Sequence, residues 1–235
     1  MKLYDETIRK CTALLNAQAG RVLPPGGDDW PEVSDRSMIL RSDMAYELGG
    51  DGLPAVGCTL VTADENLCPA DGLTLLGPDL PEIKKDVPFA RIAVERVDPD
   101  TIDEGQALFN AIRALEYTRY HFYPEGFMMR VSSTRHKESV RIGKSALARG
   151  LDFARAGSHM ISAFHKNTRV EAVQLSYVTL DSFDYRALER CAAEAEAITK
   201  TIDHILKNAV MDCAACNLQT VCNEVEGLRE LHFAR

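Results

Sequence analysis

The amino-acid sequence predicts an α+β domain, with a mixed sheet and packed helices, that continues into a long helix and a short cysteine-rich tail. Short apolar runs bounded by turn-forming residues indicate strands, and other segments show the 3.6-residue period of amphipathic helices. The two kinds of segment do not alternate strictly, as they would in a doubly wound parallel sheet. We assign residues 1–210 to the core domain and residues 211–235 to the tail.

The first half of the chain combines one amphipathic helix, a loop and several strands. Residues 4–18 carry apolar side chains on one helical face, and Asp5 is the expected N-cap. A loop rich in proline, glycine and aspartate follows. Turn-forming residues then separate four short apolar runs that predict strands, at residues 37–40, 55–61, 73–76 and 89–97. Helical spacing returns in residues 100–117.

The second half predicts further strands and contains the longest helical signal. We expect strands at residues 126–132, 139–142 and 170–180, and helices at residues 144–148 and 152–166. From residue 184 to residue 210, apolar side chains recur at alternating spacings of three and four residues. A seam of this kind usually packs on its own domain. The alternative is a contact between two copies of the chain, which would form a homodimer.

Composition and charge exclude several classes of protein. Of the 235 residues, 46% are hydrophobic and 26% are charged, which is ordinary for a globular protein and unlike a disordered chain. No apolar run approaches the roughly 20 residues of a transmembrane helix, and the first residues lack the apolar core of a signal peptide. We therefore expect a cytoplasmic protein without a membrane partner. The net charge of −8 argues against a nucleic-acid partner.

Charge is distributed unevenly along the chain. Residues 28–104 contain 18 acidic and 6 basic residues, whereas residues 130–155, the basic island, contain seven basic and two acidic residues. A basic island in an acidic protein indicates an anionic small ligand or a complementary partner, and the alternative is a solvated face. The sequence has neither a dinucleotide-binding glycine fingerprint nor a Walker motif, and no serine shows nucleophile-elbow spacing.

The seven cysteines fall into two groups. Four are isolated in the sequence and are expected to be small buried apolar residues: Cys11, Cys58, Cys68 and Cys191. The other three lie in the tail segment DCAACNLQTVC, as Cys213, Cys216 and Cys222. A Cys-x-x-Cys pair directs two thiolates at one ion from a single turn, and a third cysteine nearby adds another ligand. The tail therefore predicts a metal site.

Four short segments and the tail cysteines occur in an order that resembles a known family. The segments are DMAYELGG (43–50), LGPDL (76–80), HFYPEG (121–126) and VRI (140–142). Together they resemble the β subunit of the carbon monoxide dehydrogenase/acetyl-CoA synthase complex, over roughly residues 36–232. The resemblance implies the fold of the middle domain of acetyl-CoA synthase and a part in the one-carbon metabolism of an anaerobe.

The resemblance also implies a metal centre. The family builds acetyl-CoA from CO, a corrinoid-borne methyl group and coenzyme A on an iron–sulfur cubane bridged to a dinuclear nickel site. Cys213, Cys216 and Cys222 match three cysteine ligands of the cubane, and His232 stands at the position of the fourth. The second and third cysteines are closer together here than in the family. The sequence also contains no Cys-Gly-Cys motif, which holds the distal nickel in the family, so we do not expect this chain to bind nickel by itself.

Three thiolates and one imidazole suit two kinds of metal. They can surround one tetrahedral zinc ion, or they can hold an iron–sulfur cluster with a histidine ligand. Metal-free thiols, including a redox-active Cys-x-x-Cys pair, are the remaining alternative.

The resemblance places coenzyme A near the basic island, and this identifies five candidate cofactor-binding residues. Arg130, Arg135 and Arg141 are expected to bind phosphate oxygens, because a planar guanidinium donates two parallel hydrogen bonds. His121 and Glu125 precede the island and are expected to line the same cleft. The alternative for Glu125 is a turn carboxylate.

Two functions follow from these observations. In the first, the chain is an acetyl-CoA synthase β-subunit-like component that needs a CO dehydrogenase-type or corrinoid protein partner to complete an active site. Any catalysis would then be acyl transfer of the CO-methylating acetyl-CoA synthase type, with no catalytic residue identified in this chain. In the second, the chain is a non-catalytic binding module or scaffold with a structural zinc site in its tail.

Overall fold

The computed structural model describes residues 2–26, 30–33, 44–101, 106–131 and 136–206. In these residues the largest element is a five-stranded sheet. Its strands, in spatial order, are β1 (Arg21–Val22), β4 (Gly72–Leu76), β8 (Val170–Val178), β5 (Phe89–Val97) and β3 (Ala55–Thr62). β3 and β5 are parallel, as are β4 and β8, whereas β1–β4 and β5–β8 are antiparallel. The sheet is therefore mixed, as the absence of strict strand–helix alternation predicted.

A smaller antiparallel sheet lies against the first one. Its strands are β2 (Ala45–Leu48), β7 (Glu138–Gly143) and β6 (Phe127–Val131), with β7 in the centre. Aromatic rings join the two sheets, because Phe127 of β6 packs against Phe153 at 6.4 Å and against Tyr177 of β8 at 6.4 Å between ring centroids. Phe153 and Tyr177 are themselves 4.6 Å apart. This aromatic cluster forms the core between the sheets.

Helices cover both faces of the larger sheet. They are α1 (Asp5–Asn16), α2 (Gln106–Tyr117), α3 (Lys144–Ala148), α4 (Phe153–His165) and α5 (Tyr185–Leu206). α4 packs on β4 and β8, while α1 and α5 pack on each other and on β3. Two consecutive residues of β4, which point to opposite faces of the sheet, show that these helices lie on opposite faces. Leu73 contacts Gly157 of α4, whereas Thr74 lines a cavity beside α1. The resulting α+β class is the one that the sequence predicts.

Most predicted elements form with small changes at their ends. The strand predicted at residues 89–97 and the helix predicted at 144–148 have the observed bounds, and the apolar seam of α5 is buried in its own domain as far as residue 202. The expectation that Asp5 caps α1 is wrong. Tyr4 occupies the N-cap position without a side-chain bond, and the Asp5 carboxylate instead accepts a hydrogen bond of 2.9 Å from Thr62 of β3.

Some predictions lie outside the described residues. These are the strand at residues 37–40, Arg135, and the tail residues Cys213, Cys216, Cys222 and His232. Among the helices that the structure describes, none is both long enough and apolar enough to span a bilayer.

Candidate functional site

Two of the predicted phosphate-binding arginines meet at one carboxylate on the smaller sheet. Arg130 Nη1 lies 3.0 Å from Oε1 and 3.2 Å from Oε2 of Glu47, and Arg141 Nε donates to the same Oε1. We call Glu47, Arg130 and Arg141 the outer arginine cluster. The sequence placed both arginines in the basic island, but it gave no sign that they share a partner 83 and 94 residues away.

Strand register explains why these three residues meet. Glu47 of β2 is directly opposite Arg141 of β7, and Arg141 is opposite Met128 of β6, two residues from Arg130. Directly opposite and diagonal residues of an antiparallel pair lie on the same face of the sheet, so all three side chains project from one face. Gly50 gives the carboxylate its space, because a Cβ atom there would lie 2.2 Å from Oε2 of Glu47.

The outer arginine cluster is sealed on one side and open on the other. Glu47 is 2% exposed, whereas the side chains of Arg141 and Arg130 are 17% and 45% exposed. Two guanidinium groups on one carboxylate leave a formal charge of +1, which favours an anion on the open side. Arginine also keeps its charge at any physiological pH and has five N–H donors, so Arg130 can hold Glu47 and an incoming phosphate oxygen together.

Glu125 occupies a different environment. Its carboxylate pairs with Arg149 through two hydrogen bonds of 2.8 and 3.1 Å, and this guanidinium holds the pKa of Glu125 below its usual range. Arg149 also lies over the ring of Trp30, whose indole N–H donates to the backbone carbonyl of Glu125 at 2.8 Å. These contacts fit the alternative interpretation of Glu125 as a turn carboxylate. The expectation that Glu125 lines one cleft with His121 and the arginines stays a prediction.

His121 lies in a surface groove of about 600 Å³ between α2, the turn that follows it, and the end of α4. Its ring packs on Tyr117 with 5.4 Å between centroids, and the groove is also lined by Arg113 and Lys166. The groove is therefore basic and partly aromatic. The structure brings together Arg130 and Arg141, but it places His121 and Glu125 in two other environments.

A second arginine cluster, which the sequence reasoning missed, lies between the two sheets. Arg91 of β5 donates to both carboxylate oxygens of Glu138 of β7, at 2.5 and 2.9 Å, and Arg119 approaches the same carboxylate at 3.6 Å. All three side chains are buried. We call them the inner arginine cluster. The signal was present in the run FARIAVERV, because a charge in a strand buried on both faces needs a buried partner.

Glu95 is the most unusual charged residue near the inner arginine cluster. It lies four residues after Arg91 on the same face of β5, is fully buried, and has no hydrogen-bond partner among the described residues on either carboxylate oxygen. Burial raises the pKa of Glu95 to about 8, against the opposing attraction of Arg91. The carboxyl group is therefore mostly protonated at neutral pH.

The predicted metal ligands stay outside the part of the chain that the structure describes. Within the described residues, no group of three or more His, Cys, Asp or Glu side chains is arranged to hold a metal ion. The prediction of a metal site thus rests on the donor set of the tail alone.

Comparison with known families supports the resemblance found in the sequence. Residues 34–182, more than half of the chain, match the family model of the CO dehydrogenase/acetyl-CoA synthase complex beta subunit. The chain belongs to this family. A comparison with curated proteins returned no match. The matched residues include the smaller sheet, both arginine clusters and most of the larger sheet, whereas α1, β1 and α5 lie outside them.

Proposed function

We propose that this protein is an acetyl-CoA synthase β-subunit-like component that binds a metal through its tail and works with a CO dehydrogenase-type or corrinoid protein partner. The family match over residues 34–182 carries this proposal, because the family is defined by a subunit of a multi-protein complex. We place the protein in the cytoplasm, and a homodimer stays a prediction.

The tail supplies a donor set that fits an iron–sulfur cluster or zinc. Cys213, Cys216, Cys222 and His232 provide three thiolates and one imidazole, which are the ligand types of both. When bound, an iron–sulfur cluster supplies electron transfer. The tail cysteines hold the metal group only as deprotonated thiolates. The affinity for the metal group should therefore fall as acid protonates these thiolates.

Metal content tests this part of the proposal. Protein purified without oxygen should contain iron and sulfide in near-equal amounts, and Cys213→Ser should lose most of both. Cys68→Ser is the matched control, because Cys68 is a buried thiol that donates to the carbonyl of Val94 at 3.4 Å. If Cys213→Ser retains its metal, the tail is not the site.

The outer arginine cluster is the proposed binding site for the phosphates of coenzyme A. The positive charge of this cluster and its exposure to solvent support the assignment, since about half of the Arg130 side chain is exposed while its partner Glu47 is buried. The basic groove with His121 is a second place for the same ligand, because its arginine, lysine and aromatic rings suit phosphate and a base. The two places are distinguishable by mutation.

Titration calorimetry with coenzyme A tests the assignment. Arg130→Gln should weaken binding about tenfold, which is the loss of one charge-assisted hydrogen bond of about 1.4 kcal/mol. Arg155→Gln is the control within the basic island, because Arg155 is held by Asp152 at 2.9 Å. A loss in His121→Ala and Lys166→Ala instead would move the site to the groove. If none of these variants weakens the binding of coenzyme A, the coenzyme A assignment is wrong.

A scaffold with a structural zinc site is the second candidate function. The observation that favours it is that two buried arginines, Arg91 and Arg119, pair with the buried carboxylate of Glu138 between the sheets. These charges serve packing and not a ligand. A colourless protein that carries one zinc ion and no sulfide would support the scaffold and contradict the iron–sulfur proposal.

A further inference from the structure

Three of the four cysteines that are isolated in the sequence meet in the structure. Cys11 lies on α1, Cys58 on β3 and Cys191 on α5, and these three elements pack against one another. Across the packed helices, the Tyr4 hydroxyl lies 2.9 Å from the Thr199 hydroxyl and Lys10 donates to Glu194 at 3.1 Å, so Cys11 of α1 lies opposite Cys191 of α5. The thiols of Cys191 and Cys58 both raise the pKa of Cys11. All three are reduced and buried. We call them the thiol cluster.

The thiol cluster lies near the surface and is framed by charge. Cys191 is 6% exposed, and an ion pair of 3.1 Å between Lys10 and Glu194 connects α1 to α5 beside it. Cys11 lies in the wall of a cavity of about 460 Å³ between α1 and the larger sheet. Cys191 is therefore the most exposed of the three thiols, whereas Cys11 is fully buried.

The surroundings make the thiols of Cys11 and Cys191 unequal. The hydrogen bond from Cys11 lowers the pKa of Cys191 to about 7, whereas the same contact raises the pKa of Cys11 well above its usual range. The charged residues around Cys191 shift its pKa in opposite directions. Burial and Glu194 raise its pKa, and Lys10 and Arg190 lower it. Cys68, which has no such partner, has a pKa that burial raises.

We propose that Cys191 and Cys11 form an oxidation site, in which a hydroperoxide converts the two thiols to a disulfide that ties α1 to α5. Cys191 is the attacking thiol and Cys11 is the resolving thiol. Cys11 and Cys191 both lie outside the residues that match the family model, on the helices that flank the matched region.

The reaction balances with hydrogen peroxide as the oxidant. The Cys191 thiolate attacks one peroxide oxygen, the O–O bond breaks, and hydroxide leaves while Cys191 becomes a sulfenic acid. The Cys11 sulfur then attacks the Cys191 sulfur, the S–O bond breaks, and the oxygen leaves as water with the proton of the Cys11 thiol. Two thiols and one peroxide yield one disulfide and two waters, after the first hydroxide takes up the proton that Cys191 had released.

Peptide mapping tests the proposed pair directly. Trypsin cuts after Lys10, Arg21, Arg190 and Lys200, so Cys11 lies in peptide 11–21 and Cys191 in peptide 191–200, while the tail cysteines lie in peptide 208–229. The folded full-length protein is treated with hydrogen peroxide, alkylated, digested and analysed by mass spectrometry. We expect a disulfide-linked species of peptides 11–21 and 191–200, formed equally in Cys68→Ser and in Cys58→Ser and absent in Cys191→Ser.

A second measurement distinguishes this site from a set of buried core thiols. Alkylation of Cys191 by iodoacetamide should rise with pH around a midpoint near 7, and Cys11→Ala should shift that midpoint upward by at least one pH unit, because it removes the donor to the thiolate. The rate for Cys191 at pH 7 should exceed that for Cys68 at least tenfold. The proposal is wrong if folded protein gives no linked 11–21 and 191–200 peptides, or if Cys11→Ala leaves the midpoint unchanged. Neither result bears on the metal content of the tail.

Discussion

The two faces of strand β7 carry the same chemistry in opposite settings. On the inner face, Glu138 binds Arg91 and is approached by Arg119, and all three side chains are buried between the sheets. On the outer face, Arg141 shares the carboxylate of Glu47 with Arg130, which is half exposed. Each cluster thus has one carboxylate and two guanidinium groups.

Burial distinguishes the structural role of the inner arginine cluster from the binding role that we propose for the outer arginine cluster. Each guanidinium nitrogen of Arg91 donates inside the protein, since Arg91 also bonds to the carbonyl of Cys58 at 3.3 Å and to Thr59 at 3.2 Å. Such saturation is what a desolvated charge requires. In the outer arginine cluster, the buried Glu47 carboxylate is likewise paired, with two arginines, but about half of the Arg130 side chain is exposed to water. Of these two clusters, the outer arginine cluster is therefore the one that is exposed to solvent.

The largest expected effect comes from breaking the inner arginine cluster. Glu138→Gln leaves Arg91 as an uncompensated buried charge, so we expect the free energy of unfolding to fall by about 3–5 kcal/mol in urea denaturation. The double variant Arg91→Met with Glu138→Leu removes the ion pair and leaves one buried guanidinium, Arg119, where Glu138→Gln leaves two, so it should lose less than Glu138→Gln alone. A loss below about 1 kcal/mol in Glu138→Gln would show that the two faces of β7 do not differ as argued.

The pH dependence of stability should reveal the buried Glu95 beside the inner arginine cluster. Its pKa is about 8 in the folded protein and about 4.3 in the unfolded chain, so the folded state holds an extra proton between these values. Stability therefore falls as pH rises through this window, by about 1.4 kcal/mol per pH unit, and stays flat above pH 8. Urea denaturation should show a loss of about 2 kcal/mol from pH 6 to pH 8 that is absent in Glu95→Gln. Parallel profiles for the two proteins would contradict the assignment.

Much of the fold could be predicted from local patterns. The run FARIAVERV marks β5, and the three-four spacing after residue 184 marks α5. β2 was not predicted, because its four residues, AYEL, are too few to show a period of two. The N-cap at Asp5 failed for a tertiary reason, since Thr62 of a distant strand donates to that carboxylate.

The candidate sites were less predictable, because partners come from distant parts of the chain. The basic island indicated Arg130 and Arg141, but only the register of β2 on β7 brings Glu47 to them. The thiol cluster shows the same limit, since Cys11 and Cys191 are single cysteines in helices at opposite ends of the described chain. Sequence spacing detects ligands that are close in the chain, as in the tail, and it does not detect those that tertiary packing assembles.

Gly50 offers a smaller test of the outer arginine cluster. Gly50→Ala places a methyl group where the Glu47 carboxylate lies, so the carboxylate must move away from its two arginines. We expect a loss of about 1 kcal/mol in urea denaturation, the worth of a charged hydrogen bond. Gly143→Ala is the matched control in the same sheet, because its Cβ atom would have no neighbour closer than 3.7 Å. Equal losses in both variants would mean that Gly50 does not set the position of Glu47.

The smallest effect is expected at the most exposed pair, Glu125 with Arg149, whose side chains are 40% and 49% exposed. Water and salt screen such a pair, so Glu125→Gln should leave the urea midpoint unchanged at both low and high ionic strength. Trp30 should keep its place in this variant, because its indole N–H bonds to the backbone carbonyl of residue 125 and not to the carboxylate. Its fluorescence reports this position. A midpoint that falls as far as in Gly50→Ala would show that an exposed carboxylate can matter as much as a buried one, and burial would then no longer separate structural arginines from binding arginines in this fold.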